Sequence, residues 1–159
     1  MTKEEKEKLL YIKIATHLPY NYSAGRHVSR FLIALRDEGK ILASRCTDCG
    51  AVLVPPRVVC GNCFAEMREF VEVGPQGTLR TFSVINFPFI DPFTGVERPV
   101  PYGYAIIQLN GCDNRFPHFL EETDLQRLRV GLRVEAVFKP PSERIGAMTD
   151  IAHFKIIEE

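Results

Sequence analysis

The stretch Arg45-Cys46-Thr47-Asp48-Cys49-Gly50, followed by Pro55-Pro56-Arg57-Val58-Val59-Cys60-Gly61-Asn62-Cys63-Phe64, decides how the chain is read. Each C-x2-C turn lets two thiolates converge on one ion, and two such turns supply a closed tetrahedral set. Cys46, Cys49, Cys60 and Cys63 are therefore expected to hold a structural Zn²⁺, which accepts four sulfurs with no geometric preference of its own. A catalytic zinc keeps a position open for water, and four cysteines close that shell. Iron is the alternative, since rubredoxin knuckles look alike. Those knuckles carry Gly after the second Cys of each pair. Gly50 meets that pattern and Phe64 does not, which weighs toward zinc. A segment of about thirty residues buries too little to fold alone, so the metal supplies much of its folding free energy.

Upstream of the knuckles, residues 23–38 read as a helix. Val28, Phe31, Leu32 and Leu35 form one apolar stripe, with Ser23 as the expected N-cap and Gly39 as the stop beyond the C-terminus. Residues 2–14, charged and then apolar, suggest a short amphipathic helix or a docking arm. Between the knuckles, Val52, Leu53, Val54, Val58 and Val59 are more apolar than a ribbon tip needs. Some of this stripe is expected to pack on a barrel, the helix or a partner.

Downstream, short strands are expected at 76–86, 102–110, 115–121, 132–139 and 151–157. Leu132, Val134, Ala136 and Phe138 alternate with Arg133, Glu135 and Val137, the period of a half-buried strand. A short helix is expected over 121–129, stopped by Gly131. Five strands with a helical interruption suggest a small Greek-key barrel, of which the OB-fold is the commonest form. The expected fold is mainly β with an N-terminal helix: a rubredoxin-like zinc ribbon followed by a five-stranded OB-fold barrel. Its parts are an N-terminal arm and amphipathic helix at 1–39, the zinc ribbon at 40–69 and the OB-fold domain at 70–159.

The 159 residues carry twenty Lys+Arg against twenty Asp+Glu. That balance argues against binding nucleic acid or an anionic membrane by bulk charge. No apolar run reaches the ~20 residues of a membrane helix. The start, Met1-Thr2-Lys3-Glu4-Glu5, mixes acids with lysine and lacks an apolar leader core, so a cytoplasmic location is expected. A single-stranded nucleic-acid-binding ribbon/OB protein is the alternative reading. In 40–69, Lys40, Arg45, Arg57 and Arg68 face Asp48, Glu66, Glu69 and a doubly negative zinc tetrathiolate. That makes a poor electrostatic funnel.

Cys112, His118 and His153 invite a Cys–His nucleophile, but nothing in their spacing orders them and no third orienting group is evident. Cys112 reads as a turn cysteine without chemistry, and the four histidines show no second metal spacing. No catalytic residue is assigned. The segment 86–101 holds four prolines and three phenylalanines, so it cannot be a central strand. It reads either as a loop folded over the barrel mouth or as an apolar loop presented to a partner subunit or an acyl chain. Tyr102 and Tyr104 then share one strand face, suited to an interface or a ligand mouth.

In this order the features resemble the acyl-CoA-associated zinc-ribbon/OB-fold proteins, domain of unknown function 35. The matching residues are Phe31, Gly39-Lys40-Ile41-Leu42, Arg45-Cys46-x-x-Cys49-Gly50, Pro55-Pro56-Arg57-x-x-Cys60-x-x-Cys63, Gly77-Thr78-Leu79 and Gly131-Leu132-Arg133-Val134. The resemblance spans roughly residues 23–157. It implies a non-catalytic accessory subunit of a thiolase-superfamily complex acting on acyl-CoA. Such subunits accompany acetoacetyl-CoA thiolase with hydroxymethylglutaryl-CoA synthase, steroid side-chain aldolases and benzoylsuccinyl-CoA thiolase. The implied partner is a larger thiolase-like catalytic subunit, with a coenzyme A thioester at or near the interface. A basic residue for phosphates and aromatics for the pantetheine are then expected, with Arg57, Phe87, Phe89, Tyr102 and Tyr104 as candidates for CoA, acyl or partner contact. Two features depart from the family pattern: the extension 1–22, and Asn110-Gly111-Cys112-Asp113-Asn114 where members often carry Asp-Gly-Ala.

Overall fold

Helix α1, Gly25–Asp37, forms because His27, Phe31, Ala34 and Leu35 recur at helical spacing and all four are buried. The computed structural model describes residues 11–12, 22–90 and 97–158, so the expected helix or arm at 2–14 lies outside the described residues except for Tyr11 and Ile12. Val28 and Leu32 sit half-buried at the rim of the stripe rather than at its centre. The start differs from the expected Ser23 cap. Ala24 occupies the N-cap position, and the Ser23 hydroxyl instead accepts from the Gly25 N–H at 3.2 Å. At the other end, the N–H groups of Glu38 and Lys40 both donate to the Ala34 carbonyl, with Gly39 between them at φ 66°. Only glycine takes that left-handed turn without strain, so the helix ends where the sequence places its stop.

Three strands make the ribbon sheet in the order β2–β1–β3, all antiparallel: β1 Ile41–Arg45, β2 Val52–Leu53 and β3 Glu69–Val73. The barrel is closed, in the order β10–β8–β7–β4–β9. Its strands are β4 Gln76–Ile85, β7 Tyr102–Leu109, β8 Phe116–Leu120, β9 Arg133–Phe138 and β10 Ile151–Glu158. All neighbours are antiparallel except β8 and β10, which run parallel. Closure gives every barrel strand a neighbour on both sides over at least part of its length. Between β4 and β7 stands a two-stranded hairpin, β5 Phe89–Ile90 with β6 Glu97–Arg98. The segment expected to be a loop therefore carries its own small sheet. The helix expected over 121–129 is a series of turns. Glu122 takes the N–H groups of Thr123 and Asp124 on its own carboxylate, and Asp124 takes that of Gln126. Short acidic side chains bonding the local backbone favour turns over helix.

Alternation sorts the barrel residues. Leu79, Ala105, Ile107, Leu109, Phe116, Leu120, Val134, Ala136, Ile151 and Phe154 point inward and are buried. The same core takes in Phe31 and Leu35 of α1, Ile41 and Ala43 of β1, and Val52 and Val54 between the knuckles. The inter-knuckle stripe thus packs into the barrel's core, while Val58 and Val59 remain exposed. A second, smaller cluster of Cys46, Ala51, Leu53, Cys60 and Met67 lines the inside of the ribbon. The turn at 110–114 joins the two bodies. The Val52 N–H donates to the Asp113 carboxylate at 2.7 Å, and the Asp113 N–H donates to the Val52 carbonyl at 2.9 Å.

Candidate functional site

Both knuckles fold by one pattern. In the first, the Cys46 N–H donates to the Ala51 carbonyl and the Gly50 N–H to the Cys46 carbonyl. In the second, the Cys60 N–H donates to the Ala65 carbonyl and the Phe64 N–H to the Cys60 carbonyl. The residue after each second cysteine must turn left-handed, and Gly50 (φ 78°) and Phe64 (φ 62°) both do. Phe64 is the only non-glycine at positive φ among the described residues.

The four sulfurs of Cys46, Cys49, Cys60 and Cys63 lie within 4.8 Å of one another, with Cys46–Cys63 and Cys49–Cys60 at 3.5 Å. A tetrahedron with Zn–S bonds of about 2.3 Å has sulfur edges of about 3.8 Å, so the cage fits the ion as it stands. Cys46 and Cys60 are buried, Cys49 and Cys63 exposed. The N–H groups of Asn62 and Cys63 hydrogen-bond Cys60 and hold its thiol down to about 7, ready to ligate as thiolate. The site is a structural zinc centre closed by protein ligands. It is the one group of three or more potential metal ligands gathered together among the described residues.

The remaining cysteine and the inner histidine are placed for packing. Cys112 is buried, and burial pushes its thiol up to about 12. A thiol held protonated is a poor nucleophile. His118 lies inside the barrel against Phe116 and Phe154, its Nε2 facing the Met148 carbonyl at 3.2 Å. Burial holds its pKa below the ordinary imidazole value, and its Nδ1 has no hydrogen-bond partner among the described residues.

A cavity of about 310 Å³ opens on the outer face of β4, β7 and β8, under the β5–β6 hairpin. It is lined by Ile85, Phe89, Arg98, Tyr102, Tyr104 and Phe119. Register puts these side chains together: Ile85 is opposite Tyr102, and Tyr104 is opposite Phe119. Phe119 meets Tyr104 and Tyr102 edge-on, with ring centroids 5.7 and 6.0 Å apart. Of the five contact candidates read from the sequence, the structure gathers Phe89, Tyr102 and Tyr104 here. Phe87 is exposed and outside the lining, and Arg57 sits on the ribbon near Gly61. Arg98 and Phe119 were not candidates. The signal for Phe119 was present in the alternation of β8, where Phe116, His118 and Leu120 take the inside and leave Phe119 outside. Arg98 carried no such signal, because only the hairpin brings it over the barrel.

No helix among the described residues is long and apolar enough to cross a membrane. Two family models match consecutive parts of the chain. The ChsH2 rubredoxin-like zinc ribbon domain covers residues 34–68, and the ChsH2 C-terminal OB-fold domain covers 70–139. Among characterised relatives, a DUF35 domain-containing scaffold protein of Methanocaldococcus jannaschii is 30% identical over 121 residues, covering 74% of this chain and 82% of that protein. A scaffold protein of the same description from Methanothermobacter thermautotrophicus is 30% identical over 104 residues, covering 65% and 74%. Among solved structures, a chain of the Ltp2-ChsH2(DUF35) aldolase superposes with a TM-score of 0.62 at 17% identity, over 86% of this chain and 98% of that one. A DUF35 protein of unknown function from Sulfolobus solfataricus superposes with a TM-score of 0.55 at 20% identity, over 80% and 83%. With a zinc ribbon and an OB barrel joined through one core, and with these relatives, the chain belongs to the DUF35 family.

Proposed function

We propose that this chain is the non-catalytic accessory subunit of a thiolase-superfamily complex that forms or cleaves a carbon–carbon bond in an acyl-CoA. The observation that carries the reading is the exposed aromatic face of the barrel. Phe89 and Tyr104, both more than two-fifths exposed, line one apolar cavity, and Phe87, Ile90 and Val100, close to them in sequence, are exposed to the same degree. A patch of that kind, costly to leave in water, marks a surface meant to be covered. A larger thiolase-like subunit covers it, and the coenzyme A thioester lies at or near the contact. The catalytic cysteine and its bases belong to that partner, while this chain orders the interface and helps shape the acyl site. The names of the relatives support the reading, one group being scaffold proteins and another structure an aldolase built with a DUF35 chain. The cavity's single cation, Arg98, is too little positive charge for a nucleic-acid track.

The test is mild affinity purification from the native cell. The expected result is a larger chain in fixed stoichiometry, with acyl-CoA bond-forming or bond-cleaving activity in the complex and none in either chain alone. A chain that elutes alone, or is held on single-stranded nucleic acid and released by salt, overturns the proposal.

A further inference from the structure

Five of the six side chains around the outer cavity are apolar or aromatic, and the sixth is Arg98. Its guanidinium carbon lies 3.8 Å from the centre of the Phe119 ring and 5.6 Å from that of Tyr102. Some arginines of the chain have anions, as Arg36 pairs with Asp37, Arg68 with Glu66 and Arg127 with Glu122, while Arg30 instead stacks on Phe70. Among the described residues Arg98 pairs with no carboxylate.

A guanidinium stacked by its plane on aromatic rings keeps its edge N–H groups free, in the fork that matches a carboxylate. The rings also strip part of its water, so an arriving anion replaces less hydration. The cavity is at the small end of ligand sites, which run to about 300–1,000 Å³, and shows their usual make-up of apolar walls with a few placed polar groups. An OB barrel takes ligands on the face of its second and third strands, with the loop after the first. Here those strands are β7 and β8, and the loop carries the hairpin that delivers Arg98. The complementary ligand has an aryl or branched acyl body and ends in a carboxylate. The same fork also matches phosphate, but the single cation of the cavity balances the one charge of a carboxylate and leaves a doubly charged phosphate half-neutralised.

We infer that the outer face of the barrel binds a carboxylate-bearing aryl or acyl group, with Arg98 as the anchor of the carboxylate. This deepens the acyl-facing part of the proposed function and rests on it for its biological meaning, but its test stands apart. A chain that assembles with a catalytic partner yet ignores carboxylates overturns this site and leaves the accessory role intact.

The experiment uses the full-length zinc-loaded chain with two probes of one shape, hydrocinnamate and its neutral amide, followed by the ring resonances of Tyr102, Tyr104 and Phe119. Hydrocinnamate is expected to shift these rings and to bind about tenfold more tightly than the amide. Arg98→Met is expected to abolish that preference, and Arg98→Lys, which keeps the charge without the fork, to retain part of it. Equal binding of acid and amide by the unaltered chain overturns the inference, as do shifts confined to other residues. Failure of both probes to bind also overturns it. If Arg98→Met in addition loses its hold on the catalytic partner, the fork serves an acidic side chain of that protein instead.

Discussion

Asn114 holds Val54 by both of its backbone groups. The Val54 N–H donates to Asn114 Oδ1 at 2.9 Å, and Asn114 Nδ2 donates to the Val54 carbonyl at 2.6 Å. Val54 is fully buried at the junction of ribbon and barrel. The amide therefore does there what a neighbouring strand would do.

Asn114→Asp keeps the acceptor and removes the donor, leaving the Val54 carbonyl facing a carboxylate. An unpaired, partly buried carbonyl costs about 1–3 kcal/mol. The urea midpoint is expected to fall accordingly. A change below about 0.5 kcal/mol, the range of neutral surface substitutions, would show that the clasp is dispensable.

The two knuckles permit a paired test. A left-handed backbone costs a side chain about 1–2 kcal/mol, and glycine offsets part of that gain through its own entropy. Phe64→Gly is therefore expected to stabilise the ribbon by about 1 kcal/mol, and Gly50→Ala to destabilise it by a similar amount. Zinc transfer to a chelator reads both, slower for the first variant and faster for the second. Phe64 is also 80% exposed, a large apolar ring whose cost in water a covering partner would relieve. Phe64→Gly should weaken assembly while strengthening the fold.

Cys60→Ser should lose zinc, and with it more than the ribbon. Val52 and Val54 are fixed between the knuckles and belong to the barrel's core, so releasing the ribbon opens that core. Metal analysis with a denaturant melt is the check. A zinc-free variant that melts like the unaltered chain contradicts the shared-core account.

His118 makes stability depend on pH. Burial disfavours its charged form, so its pKa in the fold lies below the ordinary ~6.5. The unfolded chain takes up a proton that the fold refuses. Stability is then intact above about pH 6.5, falls as pH drops below it, and levels off once the folded-state pKa is passed. His118→Phe, matching the neighbours Phe116 and Phe154, should flatten that part of the curve. Denaturant midpoints across this window decide it, and identical slopes for both chains would remove His118 from the account.

The zinc centre was legible because ligand chemistry sets the spacing Cys46, Cys49, Cys60 and Cys63 must have, whatever surrounds them. The barrel was legible in β9, where Val134 and Ala136 alternate with Arg133 and Glu135 and are indeed the buried pair. Three things were wholly or partly hidden. The turns after β8 look helical because Leu125 and Leu128 are spaced like a helix face, yet Glu122 and Asp124 bind the backbone they would have capped. The cavity was half visible: Tyr102 and Tyr104 share a face by strand period alone. Arg98 joins them only through the hairpin, and pairing between distant strands leaves no local mark. The departure Asn110-Gly111-Cys112-Asp113-Asn114 also had no meaning until Asp113 and Asn114 were seen gripping the ribbon.

Strand β4 is shared unequally along its length. Gly77 and Thr78 pair with β9 on one side and β7 on the other, whereas from Thr81 to Ile85 its described partner is β7 alone. The end that closes the barrel is thus separate from the end that walls the cavity. Side chains at the second end can be exchanged through evolutionary time with little threat to closure at the first. One architecture can in this way be retuned to different occupants of the cavity, diversifying at Ile85 and its neighbours while Gly77 stays pressed against the Gln108 carbonyl, where no larger residue fits.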